Sequence, residues 1–137
     1  MERIPAGAVD RVLKAADLFD RLPQDTAVRE FLERQDHHLL MAYLDGEAAG
    51  FALLHELPRL DGERPKILLY EIGTAPRFRR RGVARSLIEA VKELARRRGA
   101  SSVFAITAEG NRGAMALYMA TGAVRKSSDE AVVEYRL

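Results

Sequence analysis

Three groups of residues in this chain are of types that do chemistry. Five arginines, Arg77, Arg79, Arg80, Arg81 and Arg85, crowd around Gly82 in "PRFRRRGVARSLIEAV". A carboxylate, Glu71, stands just upstream in "KILLYEIGT", and "NRGAMALYMATGA" downstream holds Asn111, Ala114 and Tyr118. The arginine run suits an anion. The leading N–H groups of a helix have no intrahelical partner, and with the helix dipole they attract negative charge. Gly82 lets a ligand approach the backbone, Ala84 keeps the next turn slim, and flanking arginines add charge and forked donors. This is the chemistry of a phosphate or pyrophosphate cradle. Neither the P-loop pattern nor the dinucleotide G-x-G-x-x-G is present. Arg79, Arg80 and Arg81 border the cradle, while Gly82, Val83 and Ala84 open it. Arg77 and Arg85 read as surface charges or as reaching an outer phosphate.

The elements that would position these groups follow from periodicity and punctuation. Residues 2–5 fit a short strand. Residues 6–22 carry Val9, Val12, Leu13, Ala16, Leu18 and Phe19 near helical spacing, and 24–35 fit a second helix capped by Asp25 or Thr26. Two apolar runs around Asp45-Gly46 predict a hairpin over 37–57. "KILLYEIGT" is apolar on both faces and so a central strand. Val83, Leu87, Ile88, Val91, Leu94 and Ala95 form a helix stripe that stops at Gly99. "SSVFAITA" is a further strand, Asn111 to Gly122 a helix, and 123–137 two short strands around Ser127-Ser128-Asp129. The order predicts an α/β (mixed α+β) fold: one mixed, mostly antiparallel sheet of about seven strands flanked by four helices, in a single domain over 1–137.

Composition bounds the partners. The chain has 137 residues, 47% hydrophobic and 31% charged, with no cysteine. That excludes a disulfide scaffold and a cysteine nucleophile, and it fits a reducing cytoplasm. No secretory h-region or membrane-spanning stretch is expected. Residues 1–71 carry 9 Lys/Arg against 14 Asp/Glu, and residues 72–137 carry 13 against 6. An acidic and a basic half suggest one cationic and one anionic partner. His37-His38 lacks a third ligand at metal spacing and reads as a solvated pair, so no metal is expected.

R-x-x-G-x-A, at Arg79, Gly82 and Ala84, resembles the acyl-coenzyme A pyrophosphate signature of the GNAT superfamily of N-acetyltransferases. Asn111-x-x-Ala114-x-x-Leu117-Tyr118-x-x-x-Gly122 resembles its later signature. The resemblance covers residues 36–137 well. It is closest to the short GNAT-type aminoglycoside 3-N-acetyltransferases, through an "ADLF" helix, Leu57-Pro58-Arg59, "LYEIG" and "ALYMATGA". Those enzymes typically have aspartate where Glu71 stands. The resemblance implies a GNAT fold, acetyl-coenzyme A as cosubstrate, Asn111 against its pantetheine and Tyr118 as the acid that protonates the thiolate. It also implies an oxyanion held by backbone N–H groups around Ile72, Gly73 and Thr74, where the strand splays from its neighbour. A β-bulge is expected there, at Gly73. Many relatives dimerise, which makes a homodimer an expectation.

Acetyl transfer to a primary amine needs a base, and Glu71 is the candidate: a carboxylate near the cofactor turn, with Tyr70 and Ile72 expected on the opposite face. Glu56 and Glu109, at strand ends, are the first choices to bind a cationic acceptor such as an aminoglycoside. An acetyltransferase of protein N-termini or lysines is a second reading, and a catalytically silent coenzyme A sensor another. A nucleic-acid module needs aromatics interleaved with base, and only Phe78 lies in the run.

Overall fold

In the structure, a computed structural model, residues 1–127 and 129–137 are described. Five strands form one sheet in the order β1 (Glu2–Arg3), β2 (His37–Leu44), β3 (Glu47–Leu57), β4 (Lys66–Thr74), β5 (Ser102–Ala105). Neighbours are antiparallel except β4 and β5, which are parallel. The β2–β3 turn is the expected Asp45-Gly46, both residues at positive φ (50° and 79°), as a two-residue hairpin with the native twist requires.

Helices cover both faces. α3 (Val83–Arg97) buries Leu87, Ile88, Val91 and Leu94 against Leu40, Ala52, Leu54, Ile67 and Leu69. α4 (Arg112–Ala120) adds Leu117 and Tyr118 to the edge of this core. On the other face α1 (Val9–Lys14) and α2 (Asp25–Glu33) pack Val9, Val12 and Leu32 against Leu39, Met41 and Phe51. Two cores on one sheet make β2, β3 and β4 apolar on both faces, which is why alternation is faint in their sequences.

Four expectations about elements give way. The first helix ends at Lys14 and passes through a single 3-10 turn, Ala16–Leu18, into extended chain. There Phe19 packs on Phe51, ring centroids 4.6 Å apart. α2 starts at Asp25 with Gln24 before it and no side-chain cap; Asp25 instead pairs with Arg29. β5 stops at Ala105, not residue 108. Finally, 123–137 holds no strand among its described residues, so the sheet has five strands rather than seven. Ser128 of the expected turn lies outside the described residues. Val132, Val133, Tyr135 and Leu137 have strand-forming side chains, but they meet no partner edge and stay exposed.

Candidate active site

β4 joins the two halves of the site. It pairs with β5 only as far as Leu69↔Ala105, then runs on to Thr74 against β3 alone. Among the described residues, the edge of Tyr70–Thr74 that faces β5 therefore has no strand to bond. The stretch where a splay was expected is the one where β5 has ended. The bulge lies elsewhere: Leu53 pairs with Glu71 and Leu54 with Leu69, which leaves Tyr70 as the extra residue. Ile67 and Leu69 face α3 before it, and Ile72 faces α3 after it. Tyr70 meets the His55 ring (5.5 Å), on the α2 face, and Glu71 lines a cavity on that same face. So Tyr70 and Glu71 share a face, against the simple alternation expected. Gly73 has another cause. A Cβ there would stand 2.7 Å from the Phe51 ring.

The turn after β4 has the geometry that an anion cradle requires. A single 3-10 turn, Pro76–Phe78, leads to Arg79; Arg80 (φ 60°) and Gly82 (φ 77°) are left-handed, and α3 begins at Val83. A Cβ at Gly82 would meet nothing within 4 Å, so the glycine serves the backbone angle and leaves open space before the helix. No side chain caps α3 among the described residues, and its leading N–H groups face out. Arg79, Arg80 and Arg81 are exposed at this mouth. Arg77 is turned away, paired with Asp17 and Glu47 at 3.3 Å each. Arg85 donates to the Ala120 carbonyl (2.9 Å) and Lys92 to that of Thr121 (2.6 Å), which fastens the end of α4 to α3. Phe78 is buried, 7% exposed, and cannot stack on a base.

Asn111 caps α4: its Oδ1 accepts from the Ala114 N–H (3.1 Å). Tyr118, seven residues on, shares that helix face. It is half-buried beside the α3 core, and burial holds its hydroxyl above the ordinary tyrosine value of 10.0. The group stays protonated through neutral pH. Thr74 Oγ1, at the end of β4, is buried with no hydrogen-bond partner among the described residues.

Glu71 lines a cavity of about 420 Å³ between the sheet and the α1–α2 segment. Phe19, Val28, Phe31, Leu39 and Leu53 are among its walls. No sequence signal marked these residues, because an apolar wall and an apolar core have the same composition. Glu56 and Glu109, expected to bind the acceptor, are not in this wall. Glu56 is on the α3 face, where Arg98 binds it through two nitrogens and His38 Nε2 lies 2.7 Å away. Glu109 pairs with Arg125. His38 is not solvated either: it is 1% exposed, and Arg3 Nε donates to its Nδ1 (2.8 Å). That makes Nε2 the protonated nitrogen, donating to Glu56. His37 stacks on Phe31 at 4.9 Å. No cluster of three or more His, Cys, Asp or Glu able to hold a metal occurs among the described residues. No helix among them is long and apolar enough to cross a membrane.

The model of the acetyltransferase (GNAT) family matches residues 11–123. The chain is similar in structure to an aminoglycoside acetyltransferase, HMB0005, from an uncultured soil metagenomic sample: 30% identity, TM-score 0.81, 99% of this chain and 95% of that one. It is also similar to AAC(6')-Iy in complex with the bisubstrate analogue CoA-S-monomethyl-acetylneamine: 25% identity, TM-score 0.80, again 99% and 95%. A ribosomal-protein-alanine N-acetyltransferase from Brucella melitensis shares the fold at 20% identity, TM-score 0.77, covering 98% of each chain. Among curated proteins none matches.

Proposed function

The chain belongs to the acetyltransferase (GNAT) family, and from that premise we propose that it moves an acetyl group from acetyl-coenzyme A to a primary amine of a small cationic molecule. One observation carries the reading. β4 leads from Glu71, in the wall of a cavity, to an uncapped helix N-terminus ringed by arginines. An anionic cosubstrate and an amine would thus be brought together at one splayed strand. Aminoglycosides, named in the similar structures at 25% identity and above, are the first acceptors to test. The sequence resemblance implies the 3-amino group, and the AAC(6') neighbour makes the 6' position the alternative that product analysis decides. The absence of cysteine fits work in the cytoplasm.

In this mechanism the pyrophosphate lies on the N–H groups of Val83, Ala84 and Arg85, with Arg79, Arg80 and Arg81 around it. Asn111, Ala114 and Leu117 line the pantetheine arm. Glu71 takes a proton from the ammonium, directly or through water. The neutral amine attacks the thioester carbonyl. The backbone N–H groups of Ile72 and Thr74, which alternate with the β3-facing N–H of Ala75 and so lie on the edge that β5 leaves free, receive the developing oxyanion. The C–N bond forms first; when the oxyanion collapses the C–S bond breaks, and the Tyr118 hydroxyl gives the thiolate its proton. The extra proton on the new amide nitrogen passes to the tyrosinate, directly or through water, and Glu71 releases its proton to solvent.

Acetyl-coenzyme A should raise the melting temperature by several degrees. Gly82→Glu, which sets a carboxylate in the cradle at a left-handed angle, should abolish that shift. A shift from duplex DNA but not from acetyl-coenzyme A would sink the reading. Glu71→Gln should cost on the order of 10²-fold in kcat/KM and leave the stabilisation by acetyl-coenzyme A in place. An undiminished kcat/KM would move the base elsewhere.

A further inference from the structure

We infer that the acceptor of this enzyme is an amphiphilic amine, with one cationic nitrogen and an aliphatic or aromatic body, rather than a polycationic sugar. The inference rests on the acetyl-transfer reading and narrows it. The open pocket beside Glu71 has an apolar floor: Val12, Leu32 and Leu39 are 2%, 6% and 4% exposed. Half-buried Phe19, Val28, Phe31 and Leu53 stand around it as walls. Charge is scarce. The lining acids are Asp20 and Glu71, and Arg21 in the same lining offsets one of them.

Several carboxylates around this lining are already engaged: Asp25 pairs with Arg29, Asp36 with Arg34, and Asp17 and Glu47 with Arg77. Glu30 and Glu33, on α2, are exposed and lie outside the lining. A tetra-amine sugar would bring several ammonium groups and many hydroxyls against apolar walls, each losing water without a partner. A single ammonium meets Glu71, and its body meets the aromatic and branched walls. About 420 Å³ holds a body of the size of hexylamine or phenethylamine.

The test is a thiol-release assay on the full chain with acetyl-coenzyme A, over butylamine, pentylamine, hexylamine, phenethylamine and the aminoglycoside neamine. We expect kcat/KM to rise about fourfold per methylene from butylamine to hexylamine. Hexylamine and phenethylamine should exceed neamine at least about tenfold. Val28→Glu adds a carboxylate to a half-buried wall position on α2. It should lower hexylamine turnover and raise that of neamine. Leu53→Ala should flatten the methylene series, with circular dichroism reporting that both variants are folded. If neamine equals or exceeds the alkylamines in the wild type, the inference falls and acetyl transfer stands. If acetyl-coenzyme A binds but no amine is acetylated, acetyl transfer falls and takes the inference with it.

Discussion

Tyr118 shows what one side chain's surroundings decide. Burial favours its neutral form, so the hydroxyl keeps its proton above the ordinary value of 10.0. A donor that stays protonated can act on a leaving thiolate at any neutral pH. Tyr118→Phe should lower kcat about 10²-fold and change acetyl-coenzyme A affinity less than about twofold. Stopped-flow turnover and calorimetric titration separate the two effects, and unchanged kcat would remove Tyr118 from the mechanism. The turn at Gly82, the start of α4 at Asn111 and the helix face it shares with Tyr118 were legible in the sequence because these relations are local: a turn before a helix, or steps of three and four along one. Glu56 was not. Its partner Arg98 is 42 residues away, and nothing in either neighbourhood announces the pair. The same holds for His38, held between Arg3 and Glu56.

At the scale of elements, the strand and helix runs were legible where apolar length or period was strong, as in β4 and α3. The break after Lys14 was not, because Phe19 leaves the helix for a ring across the sheet. A second illegible feature is the approach of β3 to α3. A Cβ at Gly50 would sit 2.7 Å from the Gly73 carbonyl oxygen and 2.8 Å from Val83 Cγ1. The oxygen belongs to a paired strand and has little room to yield. Gly50→Ala should therefore cost about 1–3 kcal/mol, read as a lower urea midpoint. It should also weaken acetyl-coenzyme A, since Val83 is the first residue of α3 behind the cradle. Stability loss without loss of cofactor affinity would separate the strand contact from the cradle.

For the whole molecule, acid is the natural stress. Burial holds His38 below its ordinary value of 6.5, and Arg3 and Arg98 push the same way against Glu56. A depressed histidine pKa means that the unfolded chain binds the proton first. Its contribution to stability is complete above 6.5 and is lost as pH falls through 6.5 toward the folded value. His55, depressed chiefly by burial and by His37, adds in the same window. Glu56 is held below 4.5 by Arg98 and His38, over the opposing effect of burial, so its share is lost only below 4.5. Urea midpoints should fall in two stages on acidification, and His38→Gln should reduce the first while leaving the part due to His55. A single transition below 4.5 in the wild type would refute this. The sheet's five strands, where seven were expected, show a limit of pattern. Residues 131–137 alternate like a strand, but alternation does not supply an edge to pair with.

The extra residue at Tyr70 gives β4 two reading frames. Odd-numbered Ile67 and Leu69 face α3 before it, and even-numbered Ile72 does so after it. Tyr70 is therefore the residue whose removal would join the frames without turning anything over. Glu71 would follow Leu69 directly and still look into the cavity. Loss of a residue from Ile67–Leu69 would instead move apolar side chains out of the α3 core. In length variation β4 is tolerant at one point, and that point adjoins Glu71, the proposed base.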